Sequence, residues 1–280
     1  MKRVIFNQKG GVGKTSITCN LAAQFAKMGR KVLAIDLDPQ ANTSQYLLGD
    51  SYNNVEGTVA DFFSELLSFK IFKGSLAAAI HKTAIPGLFV IPSSKDLAEL
   101  QQKLENRYKI MKLAQALESL VSEEHFDDVF IDTPPSLNFF SMSALIAADS
   151  ILIPFDCDAF SVKAIHQVMN IVDEVREDHN PHLKVEGIVI NQFQSQAKLP
   201  QESINSLMQS GLSVLTPYLT HSVAMKESHE KSMPLVFMRS NHKLSQQYQE
   251  LAGNLLGSRQ KKKAGKRNQS LLKGPAEAGL

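Results

Sequence analysis

The stretch Lys9-Gly10-Gly11-Val12-Gly13-Lys14-Thr15-Ser16 decides how the rest of the 280 residues are read. It follows the apolar triplet Val4-Ile5-Phe6 and precedes Ile17, Leu21, Phe25 and Met28, whose spacing marks one face of a helix with Gly29 as its stop. A strand, a glycine-rich turn and a helix in that order match the pattern G-x-x-x-x-G-K-[ST] with its first glycine displaced. Gly10, Gly11 and Gly13 let the backbone from Gly10 to Ser16, Val12 included, turn its N–H groups onto phosphate oxygens at a helix N-terminus. Lys14 is then placed to neutralise β- and γ-phosphate charge, and the Thr15 hydroxyl to ligate Mg²⁺.

Working outward, short apolar runs rich in β-branched residues recur at residues 32–35, 129–131, 151–153 and 188–190, separated by helix-length amphipathic segments. That alternation predicts an α/β fold: one domain with a mainly parallel twisted sheet flanked by helices on both faces. Residues 3–37 read as its first βαβ unit. Leu97, Leu100, Leu104, Tyr108 and Met111, followed by Leu113, Leu117 and Leu120, predict one long helix over residues 96–120. Leu244, Tyr248, Leu251 and Leu255 predict a last amphipathic helix, with the domain ending at residue 256 and a basic, disordered tail over residues 257–280.

Composition narrows the class. A chain that is 43% hydrophobic and 21% charged is globular, and two cysteines, Cys19 and Cys157, are too few for a disulfide framework or a C-x-x-C metal knuckle. No run of eighteen apolar residues is present and Met1-Lys2-Arg3-Val4 leads straight into a strand pattern, so a cytoplasmic protein without a membrane partner is expected. Residues 257–280 hold seven Lys/Arg and one acid, leaving residues 1–256 with 23 bases against 27 acids. The net charge of +2 therefore belongs to the tail.

Lys9, one residue ahead of the glycines, sets this loop apart from the general pattern. With it, the segment resembles the deviant Walker A motif, KGGxGK[ST], of the ParA/MinD group of P-loop NTPases. The run Asp36-Leu37-Asp38-Pro39-Gln40-Ala41-Asn42 is similar to that group's switch I, and Ile131-Asp132-Thr133-Pro134-Pro135 to its Walker B strand and switch II. The resemblance implies an ATPase with ATP and Mg²⁺ as cofactors. In it Lys9 reaches the nucleotide of a partner subunit in an ATP-bound homodimer, Asp38 positions the attacking water, and Asp36 and Asp132 support the magnesium site with Thr15. Lys9, Lys14 and Asp38 are thus the catalytic candidates. Two looser matches place Asn191 and Pro217 against adenine.

The same resemblance implies sequence-independent DNA binding, nucleoid association and a ParB-like or other adaptor that stimulates slow hydrolysis, with a plasmid, chromosome or protein assembly as cargo. Lys198, Lys226, Lys231, Arg239 and Lys243 are the candidate DNA contacts, and the tail from Arg259 to Arg267 can supplement them electrostatically. Many relatives carry an arginine where this chain has His221. The alternative is MinD-like division-site placement on a membrane, although Gly274 and Pro275 break the amphipathic tail such tethering uses. An iron–sulfur reductase lacks its cysteines here, and a dethiobiotin-type synthase would need a small carboxylic acid substrate.

Overall fold

All five expected apolar runs become strands. The chain order is β1 (Lys2–Ile5), α1 (Lys14–Lys27), β2 (Val32–Asp36), α2 (Asn42–Leu48), α3 (Val59–Leu67), β3 (His81–Lys82), β4 (Leu88–Ile91), α4 (Leu97–Asn106), α5 (Lys112–Glu124) and β5 (Asp128–Asp132). It continues with α6 (Phe139–Ala147), β6 (Ser150–Asp156), α7 (Ser161–Asp178), β7 (Lys184–Asn191), α8 (Lys198–Gln209), β8 (Val214–Leu215), α9 (Val223–Glu230), α10 (Leu235–Met238) and α11 (Lys243–Leu272). This computed structural model describes residues 1–68, 75–157, 161–194 and 198–272, with the backbone alone at 161–162, 198–199 and 258–272.

The strands form one eight-stranded sheet in the order β3-β4-β2-β5-β1-β6-β7-β8. Every neighbouring pair is parallel except β3 with β4. Alternate strand residues enter two separate cores, as the two-residue period of a strand requires. Val4, Leu33, Ile131, Ile153 and Ile190 face the core filled from α3 to α8. Ile5, Ala34, Phe130, Leu152 and Val189 face the core filled by α1, α2 and α9 to α11. Burial on both faces explains why these strands read as continuous apolar runs.

The expected long helix over residues 96–120 is two helices. α4 stops because Tyr108 adopts a left-handed φ of +50° and the Lys109 N–H reaches back to the Leu104 carbonyl at 3.2 Å, a closing pattern that satisfies the helix end. Tyr108 and Met111, expected on the buried stripe, are 92% and 38% exposed as a result. Met28 is likewise exposed, since α1 ends at Lys27. The edge strands β3 and β8, each only two residues long, and β4 beside β3 escaped the sequence reading. α11 runs through Gly257 to Leu272, so the backbone shows no helix end at the expected start of the tail. A single glycine costs a helix about 1 kcal/mol, which the good helix formers around it offset. Residues 273–280, with the expected break at Gly274 and Pro275, lie outside the described residues, as do the side chains of Arg259 to Arg267.

At the end of the sheet away from the glycine loop, fully buried Arg3 donates to Asp128 at 2.7 Å and to Glu186 at 2.8 and 3.2 Å, and Arg30 also pairs with Asp128. Charges this deep hold their place only when paired and hydrogen-bonded. The network ties β1, β5 and β7 together and leaves the opposite strand ends for the site.

Candidate functional site

The glycine loop is anchored before it begins. Asn7 donates from Nδ2 to the Pro154 carbonyl at 2.7 Å and accepts the Lys9 N–H on Oδ1 at 3.0 Å, fixing the point where the chain leaves β1. Gly11 and Gly13 hold φ of +76° and +89°. A Cβ on Gly13 would lie 2.2 Å from Asn191 Nδ2, so both backbone conformation and space demand glycine there. α1 starts at the next residue, Lys14, leaving its first N–H groups directed into the loop.

The two loop lysines diverge. Lys14 Nζ donates to the carbonyls of Asn7 at 2.9 Å and Lys9 at 3.1 Å, inside the loop. Burial lowers its pKa, while the nearby charges of Asp132 and Asp38 act in the opposite direction. Lys9 instead extends to the end of β6, where Nζ meets both carboxylate oxygens of Asp156 at 2.8 and 2.9 Å, its side chain 29% exposed. One ammonium lies where loop-bound phosphates would be held, and the other lies at the rim.

Asp36 and Asp132 are register partners at the carboxyl ends of adjacent strands, and Ile5 is aligned beside Asp132 at the start of the glycine loop. Asp132 Oδ2 accepts from Thr15 Oγ1 and from Thr43 Oγ1, each at 2.7 Å. Asp36 is a strand further off and holds the start of α2: it accepts from Ser44 N at 2.8 Å, Ser44 Oγ at 2.7 Å and Asp38 N at 3.0 Å. The expected pairing of Thr15 with Asp132 is therefore direct, whereas Asp36 is occupied by Ser44 and Asp38. Thr43 and Ser44 were not read from the sequence; the signal was two hydroxyl residues immediately after the Asp38-to-Asn42 run.

Thr15 and Asp132 offer only hard oxygen donors, the chemistry Mg²⁺ takes. Among the described residues no group of three His, Cys, Asp or Glu side chains converges on one point.

Burial pushes the pKa of Asp36 upward, with Asp132 adding to it, and burial pushes Asp132 upward as well. A carboxyl raised in the fold above its unfolded value stabilises the protein at low pH and loses that contribution as pH rises through the folded pKa. Ligand-free protein is thus expected to lose stability between the ordinary carboxylate range and neutral pH because of this pair. Asp132→Asn should remove much of that loss, since both hydroxyl partners can turn to accept from the amide. Unfolding temperatures measured from pH 4 to pH 8 without magnesium check it, and a variant as pH-sensitive as the parent would refute the assignment.

Asp38 is half-buried on the loop leaving β2, where its Oδ1 accepts the Gln40 N–H at 2.9 Å. Its charge still acts on Lys14 and Asp132, which places it beside the phosphate end of the site. Asn191 ends β7 and donates to the Val12 carbonyl at 2.9 Å, so its amide rests on the glycine loop. A cavity of about 330 Å³ opens there, between Gly13, Ser16, Asn191 and Gln192 on one side and residues of 220–229 on the other. Pro217 is not among the described residues that line it, whereas Thr220, His221 and Ser222 are. Lys226 lines the same cavity. Lys231 and Lys243 are exposed, Arg239 is paired with Glu227 at 2.6 Å, and the Lys198 side chain lies outside the described residues. His229, 2.8 Å from Ser16, belongs to no motif and was not anticipated.

A strand end, a glycine loop with a buried lysine, and a hydroxyl shared with a strand-terminal aspartate define a P-loop nucleotide-binding protein. The AAA_31 family, described as an AAA domain, matches residues 2–185. The chain is 36% identical over 204 residues to the chromosome partitioning protein ParA of Myxococcus xanthus, covering 72% of this chain and 69% of that one. It is 30% identical to the chromosome partitioning protein ParA of Caulobacter vibrioides over 93% of this chain and 95% of that one. A solved structure of cobyrinic acid a,c-diamide synthase from Mycobacterium smegmatis, holding an ATP analogue and magnesium, superposes with a TM-score of 0.76 at 26% identity, covering 91% of this chain and 93% of that one. The chain belongs to the ParA/MinD family of P-loop ATPases.

Proposed function

We propose that this ATPase binds ATP with Mg²⁺ at the glycine loop, dimerises face to face on ATP, attaches to DNA without sequence preference and positions a cargo until an adaptor protein triggers hydrolysis. The observation that carries this reading is the divergence of Lys14 and Lys9. Lys14 remains in its own loop, and Lys9 stands at the rim on Asp156, in reach of whatever covers that face. A cation delivered across an interface stabilises charge developing on a transferring phosphoryl group, as trans arginines do elsewhere by roughly 10³ to 10⁵ in rate.

Within one subunit the residues divide the work. Backbone N–H groups from Gly10 to Ser16 hold phosphate oxygens, Lys14 adds positive charge, and Asp132 orients Thr15. Thr15, oriented by Asp132, would hold magnesium, which would neutralise phosphate charge when bound. Asp38 accepts a hydrogen bond from water and aims it, without acting as a strong base, so unstimulated turnover is slow. The partition role follows the ParA relatives; the domain limits of 1–256 and a separate basic end belong to the same reading.

DNA attachment is the part most open to a direct test. Exposed Lys226, Lys231 and Lys243 contact phosphates in this account. For three phosphate contacts, raising salt from about 50 to about 200 mM weakens binding by roughly 40-fold through counterion release. Fluorescence anisotropy with two unrelated duplexes should show that slope, equal for both sequences and dependent on ATP. Binding that ignores salt or prefers one sequence would contradict it.

A further inference from the structure

Thr15 and Ser16 are consecutive at the start of α1, yet their hydroxyls part. Thr15 Oγ1 donates to Asp132, whereas Ser16 Oγ lies 2.8 Å from Nε2 of His229 near the end of α9. The imidazole is held on its face as well as its edge. It stacks on Tyr46 of α2 with ring centroids 4.0 Å apart and an interplanar angle of 17°. Tyr46 is 2% exposed, and its hydroxyl lies 2.7 Å from Ser228 Oγ and accepts from Asn20 Nδ2 at 3.3 Å. Asn20 Nδ2 in turn donates to the Ser16 carbonyl at 2.9 Å. His229 lines the 330 Å³ cavity and also a hollow of about 400 Å³ beside Thr15, Asn42 and Gln45, forming part of the wall between them.

Packing alone does not ask for a histidine there, because an apolar side chain would cover Tyr46 equally well. Hydrogen-bond bookkeeping does. A phosphate oxygen only accepts, so a Ser16 hydroxyl that donates to phosphate must turn its lone pairs elsewhere, and His229 Nε2–H is the donor that meets them. The resulting chain, imidazole to hydroxyl to phosphate, has one direction, and a hydroxyl that otherwise rotates becomes a committed donor.

We infer that His229 is a positioning residue for the nucleotide, presenting the Ser16 hydroxyl to the α-phosphate where the cavity passes from the glycine loop toward sugar and base. The assignment to α follows from the layout: Lys14 and Thr15 serve the β and γ end, and Ser16 faces the opposite, cavity side. The inference rests on the chain taking ATP, and it adds a residue that no phosphate-loop motif contains.

A double-mutant cycle tests it, with Mg-ADP titrated calorimetrically into wild type, Ser16→Ala, His229→Ala, the double variant and His229→Gln. Each alanine change is expected to raise Kd by about 5- to 10-fold, and the double variant by no more than Ser16→Ala alone, because both remove one linked contact. His229→Gln, whose amide N–H can replace Nε2–H, should remain within about twofold of wild type. Losses that multiply in the double variant, an unchanged Kd in His229→Ala, or a loss that glutamine fails to restore would each overturn the inference. The first and third of these are also what mere packing on Tyr46 would give. Wild-type protein that bound no Mg-ADP would refute the nucleotide reading itself.

Discussion

Lys14→Ala is expected to weaken Mg-ATP binding by at least about 100-fold, close to 2.7 kcal/mol, and with it every ATP-dependent step that follows. The size comes from two effects of one group. Among the described residues, Lys14 is the one charged donor held within the glycine loop itself, on the Asn7 and Lys9 carbonyls, and a charge-assisted contact to phosphate is about twice as strong as a neutral one. Its desolvation has already been met in folding, as the burial-lowered pKa records, so ATP gains the attraction without moving the ammonium far. The backbone N–H cradle remains in the variant, but it answers a triphosphate with partial charges only. Calorimetric titration measures the effect, with circular dichroism to show that the variant is folded. Retained ATP affinity would contradict the phosphate-cradle assignment.

Asp38→Ala should act oppositely on binding and turnover. Asp38 donates nothing to phosphate and carries a negative charge near Lys14 and Asp132, so its removal leaves Mg-ATP affinity equal or tighter. Turnover is expected to fall by roughly 10² to 10³, the range for losing a group that orients the attacking nucleophile. Binding without hydrolysis accumulates the ATP-bound state. Phosphate-release assays beside the same titration check both halves, and undiminished turnover would remove Asp38 from the mechanism.

Much of this was legible in the sequence because the chemistry constrains it locally. A glycine loop between strand and helix needs particular residues at fixed spacing, and strand-terminal aspartates follow apolar runs that are buried on both faces. What escaped was decided at long range. Asp156 meets Lys9 across 147 positions and His229 meets Ser16 across 213, and no local pattern announces either. Asn191 ends β7 beside the cavity, and its amide holds the Val12 carbonyl, a contact no local pattern announces. The path of the loop that carries Pro217 was not legible, because it depends on packing, here against α11 through Asn254, which donates to the Thr216 carbonyl at 2.8 Å. The break at Tyr108 was invisible because heptad-like apolar spacing runs across it, while a left-handed tyrosine leaves no compositional mark.

The central claim is that Lys9 serves the nucleotide of a second copy. Light scattering on purified protein, given a non-hydrolysable ATP analogue and magnesium, tests it most directly. Wild type is expected to shift from the 30.9 kDa monomer to about twice that mass, and Lys9→Ala not to shift. Wild-type protein that binds the analogue and stays at the monomer mass would contradict it.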